Sequence, residues 1–141
     1  MKEYGVKRVF MGRLKPGDDL LLSLEAALKE AQVTMGSLTL IGALRSATVG
    51  YYDQDKREYL EIKYPRHLEI LSGVGNISRK DGKLMVHCHV TLGDSEGRAF
   101  GGHLLPGTEV FACEYMVFEF DGPVLERGFD DDTGLSLWQL T

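Results

Sequence analysis

The sequence predicts an α+β fold, in which one helix packs on a sheet of several strands. Apolar residues recur at helical spacing over one segment, Leu20 to Ala31. Elsewhere apolar and polar residues alternate with period two, most clearly from Val86 to Leu92. Glycine-rich or Asp-Gly turns separate these alternating runs, as at Asp81-Gly82 and Gly93–Gly97.

In chain order, Val6–Leu14 reads as a short strand. Lys15-Pro16-Gly17-Asp18-Asp19 turns into the helix, with Asp18 or Asp19 as N-cap and acidic groups where the helix dipole favours them. Leu20, Leu21, Leu24, Ala27, Leu28 and Ala31 form the buried stripe, with Glu25, Lys29 and Glu30 opposite. Gly36–Leu44 and Ala47–Tyr52 read as two strands rich in β-branched and aromatic residues, separated at Arg45. That arginine is either an anion clamp or an ion-pair partner. Asp53–Glu58 is a charged hairpin loop, and Tyr59–Tyr64 returns from it to Pro65, which cannot donate in a central strand. Leu68–Ile77 is a further strand, whose glycines suggest a bulge or bend.

The stretch from Val86 to Gly107 holds three of the four histidines. Val86, Cys88, Val90 and Leu92 point one way, and His87, His89 and Thr91 the other. Arg98–Leu105 is the returning strand of a hairpin. Phe100 belongs on the apolar face, so even residues pair with even and odd with odd. His103 then joins His87 and His89 on one face, and its expected cross-strand partner is His87. Gly101 is expected to leave room beside His89. At strand spacings of ~6.6 Å along a face and ~5 Å across, three imidazoles can converge on one ion with Zn–N bonds of ~2.0–2.1 Å. The alternative is a set of half-buried strand histidines bonded to each other, to water or to a carboxylate. Cys88 faces away from this group, and His67 lies on a different strand.

Glu109–Asp121 is a long strand on which Glu114 interrupts an otherwise apolar face. It is either a paired structural carboxylate or the acidic group of a site. Asp130–Gly134 lacks the spaced ligands of a calcium loop and reads as a solvated turn. Leu137-Trp138-Gln139-Leu140 reads as a docking strand.

A chain of 141 residues, 43% hydrophobic and 26% charged, is expected to be one soluble domain spanning 1–141. The net charge of −5 argues against a broad electrostatic footprint on nucleic acid. Two cysteines without metal or redox spacing suit a reducing compartment. Met1 opens no apolar leader, and no stretch approaches the ~18 apolar residues of a membrane span, so a cytoplasmic location is expected.

Gly42-Ala43-Leu44 leading to Gly50-Tyr51-Tyr52-Asp53, Leu68–Gly73, His87-Cys88-His89-Val90, Gly97–Leu104 and Glu114 together resemble the PPC-domain family. The resemblance covers nearly the whole chain. It implies a mostly antiparallel, strongly bent sheet with one principal helix, and a homotrimer. It also implies a histidine set that maps onto His87, His89 and His103. Family members are often labelled predicted DNA-binding proteins. In the plant members DNA contact belongs largely to an AT-hook of the Arg-Gly-Arg-Pro type, which this sequence lacks. Two function classes follow. One is a metal protein, with zinc on His87, His89 and His103 and an open position for water or a small-molecule ligand, catalytic or not. The other is a non-enzymatic trimeric scaffold or DNA-binding module. Tight DNA binding and membrane association are not expected in the first.

Overall fold

A computed structural model describes residues 1–139. It contains β1 (Gly5–Leu14), α1 (Leu20–Glu30), β2 (Gly36–Asp53), β3 (Glu58–Tyr64), β4 (Leu68–Lys80), β5 (Lys83–Gly93), β6 (Ala99–Leu104), β7 (Glu109–Asp121), β8 (Glu126–Asp130) and β9 (Leu135–Trp138). The nine strands form one sheet in the order β1-β7-β2-β6-β5-β4-β8-β9, with β3 on β2. Pairing is antiparallel except between β4 and β8, where Arg79 faces Glu126 and Lys80 faces Arg127. The expected α+β class, bent sheet and single principal helix are all present.

The bend has its origin in β2. Residues 36–44 lie between β4 and β7, whereas residues from Ala47 onward pair with β3 and, at Val49 and Gly50, with β6. The expected break at Arg45 is therefore a bend within one strand of 18 residues. Register shifts between Ala43 and Ser46 re-aim the backbone there without ending its pairing. Because β2 meets both β4 and β6, the run β2–β4–β5–β6 closes on itself. Arg45 itself is half exposed and pairs with Glu109 at 3.0 Å, so it is an ion-pair partner.

Helix α1 begins where Asp19 accepts from the backbone N–H of Leu22 at 3.0 Å. The same carboxylate accepts from the N–H of Gly107 at 2.6 Å, tying the helix start to the loop after β6. Leu20, Leu21, Leu24 and Leu28 are buried on the helix face against the sheet. From β5 they meet Val86, Cys88, Val90 and Leu92, all at most 4% exposed. The alternation of β5 thus places one face in the core and leaves His87 and His89 on the side away from α1.

On β7 the inward residues are Val110, Cys113, Val117 and Glu119. Glu114 is exposed on the outer face, across from Arg13, and makes no ion pair among the described residues. The buried carboxylate of this strand is Glu119, which is fully buried and accepts from Arg8 and Lys7 of β1. The hydrogen bond from Arg8 holds it below the usual carboxylate range, against the opposing effect of burial.

Asp130–Gly134 is a turn between β8 and β9. Asp130 accepts from the N–H and hydroxyl of Thr133, and Gly134 adopts φ +73°. The docking segment at 137–140 is described as far as Gln139; Leu140 lies outside the described residues. No helix among the described residues is long and apolar enough to cross a membrane.

Candidate metal centre

The three histidines arrive from two adjacent antiparallel strands. His87 and His89 are alternate residues of β5, and His103 lies on β6 directly across from His89. The parity expected from the sequence holds, but the register differs by two residues, since His103 does not face His87. Leu92 pairs with Phe100 and Gly93 with Ala99, so Asp94 to Arg98 form a compact turn. That turn is closed by Asp94, whose carboxylate takes the N–H groups of Glu96 and Arg98 and the Arg98 side chain.

The imidazoles form a near-equilateral group. Ring centroids are 5.1 Å apart for His87–His89, 4.8 Å for His87–His103 and 5.4 Å for His89–His103. One ring nitrogen from each lies within 4.8 Å of the others. Nε2 of His87 and Nε2 of His89 are 3.2 Å apart, close to the ~3.3 Å edge of a tetrahedron with Zn–N bonds of ~2.0–2.1 Å. Among the described residues Nδ1 of His103, a buried atom, has no hydrogen-bond partner. A buried ring nitrogen left without a partner is costly unless something else engages the ring. The donor set and its spacing therefore fit a divalent cation.

Two of the rings resist protonation. Burial pushes His87 down to about 4, and the charges of His103, Arg127 and His89 act in the same direction. Burial, then His89 and Arg127, lower His103 likewise. Neutral imidazole is the metal-binding form, and this environment favours it at His87 and His103.

Around the histidines β2, β3 and β8 shape the wall. The Tyr59 ring of β3 packs on His103 at 5.3 Å between centroids. Gly50 of β2, across from His103, permits this, because a Cβ there would come within 3.0 Å of the Tyr59 ring. The glycine expected to open space beside the site, Gly101, has another role. It lies opposite Thr91, and a Cβ on it would collide with the carbonyl oxygen of Val90. Its absent side chain allows β6 to approach β5.

The contribution of β8 was not legible in the sequence. Arg127 of β8 is 9% exposed and reaches the site from the side of β4. Its Nε donates to Ser78 Oγ at 2.7 Å, Nη1 to the carbonyl of Ser136 at 2.8 Å, and Nη2 to Asn76 Oδ1 at 2.8 Å. Nη2 also lies 3.4 Å from Nδ1 of His87. Arginine only donates, so this contact makes Nδ1 the acceptor and leaves the ring proton on Nε2, facing His89. Asn76 pairs with His87 across β4 and β5, and Ser78 with Met85, so parity sets both on the histidine face. That alternation was the available signal; the parallel pairing that delivers Arg127 was not.

Neither Cys88 nor His67 belongs to the group. Cys88 is buried on the core face, where desolvation pushes its thiol up to about 12. His67 is exposed in the loop before β4 and borders a different cleft, with Ala43, Gly93 and Asp94.

Comparison with known proteins agrees with this architecture. A structure of the metal-containing protein AF0104 from Archaeoglobus fulgidus is 46% identical and superposes with a TM-score of 0.93 over 99% of each chain. A plant- and prokaryote-conserved (PPC) protein from Pyrococcus horikoshii is 34% identical, with a TM-score of 0.93 over 100% of this chain and 97% of that one. A Bacteroides thetaiotaomicron protein described as "a putative dna binding protein" is 26% identical, with a TM-score of 0.87 over 96% of each chain. Two curated Synechococcus proteins named bifunctional protein GlmU are 36% and 33% identical over 114 residues. The chain spans 17% of their length, so the likeness is to one segment of a much longer protein. The model of the Plants and Prokaryotes Conserved (PCC) domain matches residues 1–121, and the chain belongs to that family.

Proposed function

We propose that this chain is a metal-binding protein in which His87, His89 and His103 hold one divalent ion, zinc for preference, with a fourth position open. The observation that carries this reading is the convergence of three ring nitrogens within 4.8 Å, together with the unpartnered buried Nδ1 of His103. Imidazole donors suit zinc and other late first-row metals, and three protein ligands leave room for water or a ligand. The metal-containing Archaeoglobus neighbour supports the same reading. An ion so held would polarise a bound oxygen and lower the pKa of bound water.

We further propose that the molecule is a homotrimer. The outer sheet face carries Met11, Ile41, Leu71, Val74 and Phe111, each more than half exposed in the single chain. Such an apolar patch on one sheet face is suited to burial against other copies. Light scattering at micromolar concentration should give three times the 15.7 kDa chain mass, and a monomer mass would overturn the trimer.

A DNA-binding role would have to overcome a net charge of −5, so duplex binding should be weak and steeply salt-dependent. Nanomolar, sequence-selective binding at physiological salt would favour that role instead.

The test of the metal reading is metal content per chain in protein purified without a histidine tag. Wild type and His67→Ala should hold about one equivalent, whereas His87→Ala, His89→Ala and His103→Ala should lose it while keeping their circular dichroism. Equal occupancy in His67→Ala and His103→Ala would refute the site.

A further inference from the structure

A cavity of about 250 Å³ lies between the histidines and the C-terminal hairpin β8–β9. Its walls include His87, His103, Tyr59, Lys80 and Arg127, with Ser136 and Leu137 from the hairpin. Among the described residues no Asp or Glu lines it. A cavity of this size admits a small molecule.

The electrostatics of this cavity are one-sided. Arg127 is permanently charged and buried, yet no carboxylate lies within ion-pair distance of it among the described residues. Three neutral acceptors and the Trp138 ring, 5.7 Å away, hold it in place. Those contacts orient the guanidinium but leave its charge uncompensated, which is unfavourable for a buried ion. Lys80 adds a second cation at the cavity wall. A divalent ion on the histidines would add two more positive charges.

Two of the guanidinium N–H groups are available for a ligand. Among the described residues Nη1 makes a single bond, to Ser136, and keeps one N–H for a ligand. The other is the Nη2 N–H now directed at Nδ1 of His87. With a metal on Nε2 of His87, Nδ1 carries the ring proton and can no longer accept, so that N–H is released.

We infer that this cavity binds a small oxyanion, carboxylate or phosphate, with its charge on Arg127 and Lys80 beside the metal position. The inference rests on the metal reading for its second contact, an anion oxygen at the open position. Arg127 lies beyond the 1–121 match to the family model, whereas the three histidines lie within it.

The experiment is calorimetric titration of the zinc-loaded full chain with inorganic phosphate and, separately, with glycolate. Ethylene glycol serves as the neutral control. At least one anion should bind and ethylene glycol should not; the arm that responds identifies the anion. Arg127→Gln should weaken binding roughly tenfold or more while retaining zinc, as expected for losing a charge-assisted hydrogen bond. Arg127→Lys keeps the charge without the fork and should lose part of the affinity. Lys80→Gln, on an exposed residue, should lose less and leave folding untouched. If Arg127→Gln fails to fold, Arg127→Lys and Lys80→Gln decide the matter. The absence of anion binding in wild type, or unchanged affinity in the folded variants, overturns the inference. If wild type binds no zinc, the metal reading fails by itself, and the same titrations on metal-free protein still decide the anion site.

Discussion

Gly101→Ala should damage the proposed metal site without replacing any of its three histidines. A Cβ at this position meets the Val90 carbonyl oxygen, and lies 3.0 Å from that carbonyl carbon and 3.2 Å from Thr91 Cα. These atoms are backbone, so no rotamer change relieves the overlap. Either β6 moves away from β5 or β5 distorts between His89 and Thr91. Overpacking of this kind costs about 1–3 kcal/mol. For a domain of this size each kcal/mol lowers Tm by about 2–4 °C, so a drop of about 2–12 °C is expected. β6 has only six residues and two paired positions on β2, so a displacement at Gly101 reaches His103 two residues on. Metal content per chain should fall together with Tm. Gly97→Ala is the control: it has φ +75° and nothing within 4 Å of a built Cβ. It should cost about 1–2 kcal/mol through left-handed backbone strain, with metal content unchanged. A Gly101→Ala protein with wild-type Tm and full metal occupancy would refute the reasoning.

Three further outcomes follow from the structure. His87 is lowered from the ordinary value to about 4, so the metal-free chain should be most stable above pH ~6.5 and lose stability as pH falls towards 4. His87→Gln should flatten that limb of the urea-unfolding profile, and an unchanged profile would count against the buried neutral ring. Asp19→Ala removes both the helix cap and the acceptor for Gly107, and should cost about 1–2 kcal/mol by chemical denaturation. Glu119→Gln should cost less than the ~3–5 kcal/mol of a broken buried pair, because Arg8 is 42% exposed and can rehydrate. Glu119 is held low by Arg8, so the wild-type advantage should vanish as pH falls through the acid range, as unfolding at matched pH values would show.

Local pattern made much of this molecule legible. The helix, its Asp19 cap and the even-numbered core face of β5 follow from periodicities that act within a few residues. The histidines share a face for the same reason, since parity survives any register shift of two. Absolute register does not follow from parity, because it depends on how tightly Asp94 closes the turn to Arg98. On β7 the face that Glu114 interrupts is the outer one, and Val117 and Glu119 lie inward. Glu119 can be buried only because β1 supplies Arg8, a contact 111 residues away in sequence. Arg127 was missed for a similar reason, since β8 reaches β4 through a short parallel pairing with no local signature.

The two edges of β5 give its histidines different neighbours. His103 stands on the β6 side, across from His89, whereas Asn76 and Arg127 approach His87 from the β4 side. Of the three proposed ligands, His87 is the one whose Nδ1 is engaged by the hairpin. A metal ligand is tuned by the group on its other nitrogen. Here that group is a cation that can only donate, which favours the metal-free tautomer and opposes the metal-bound one. Metal binding and the Arg127–His87 contact are thus alternatives on one imidazole. An oxyanion that draws Arg127 away from Nδ1 would relieve the conflict, so metal and anion should each strengthen binding of the other.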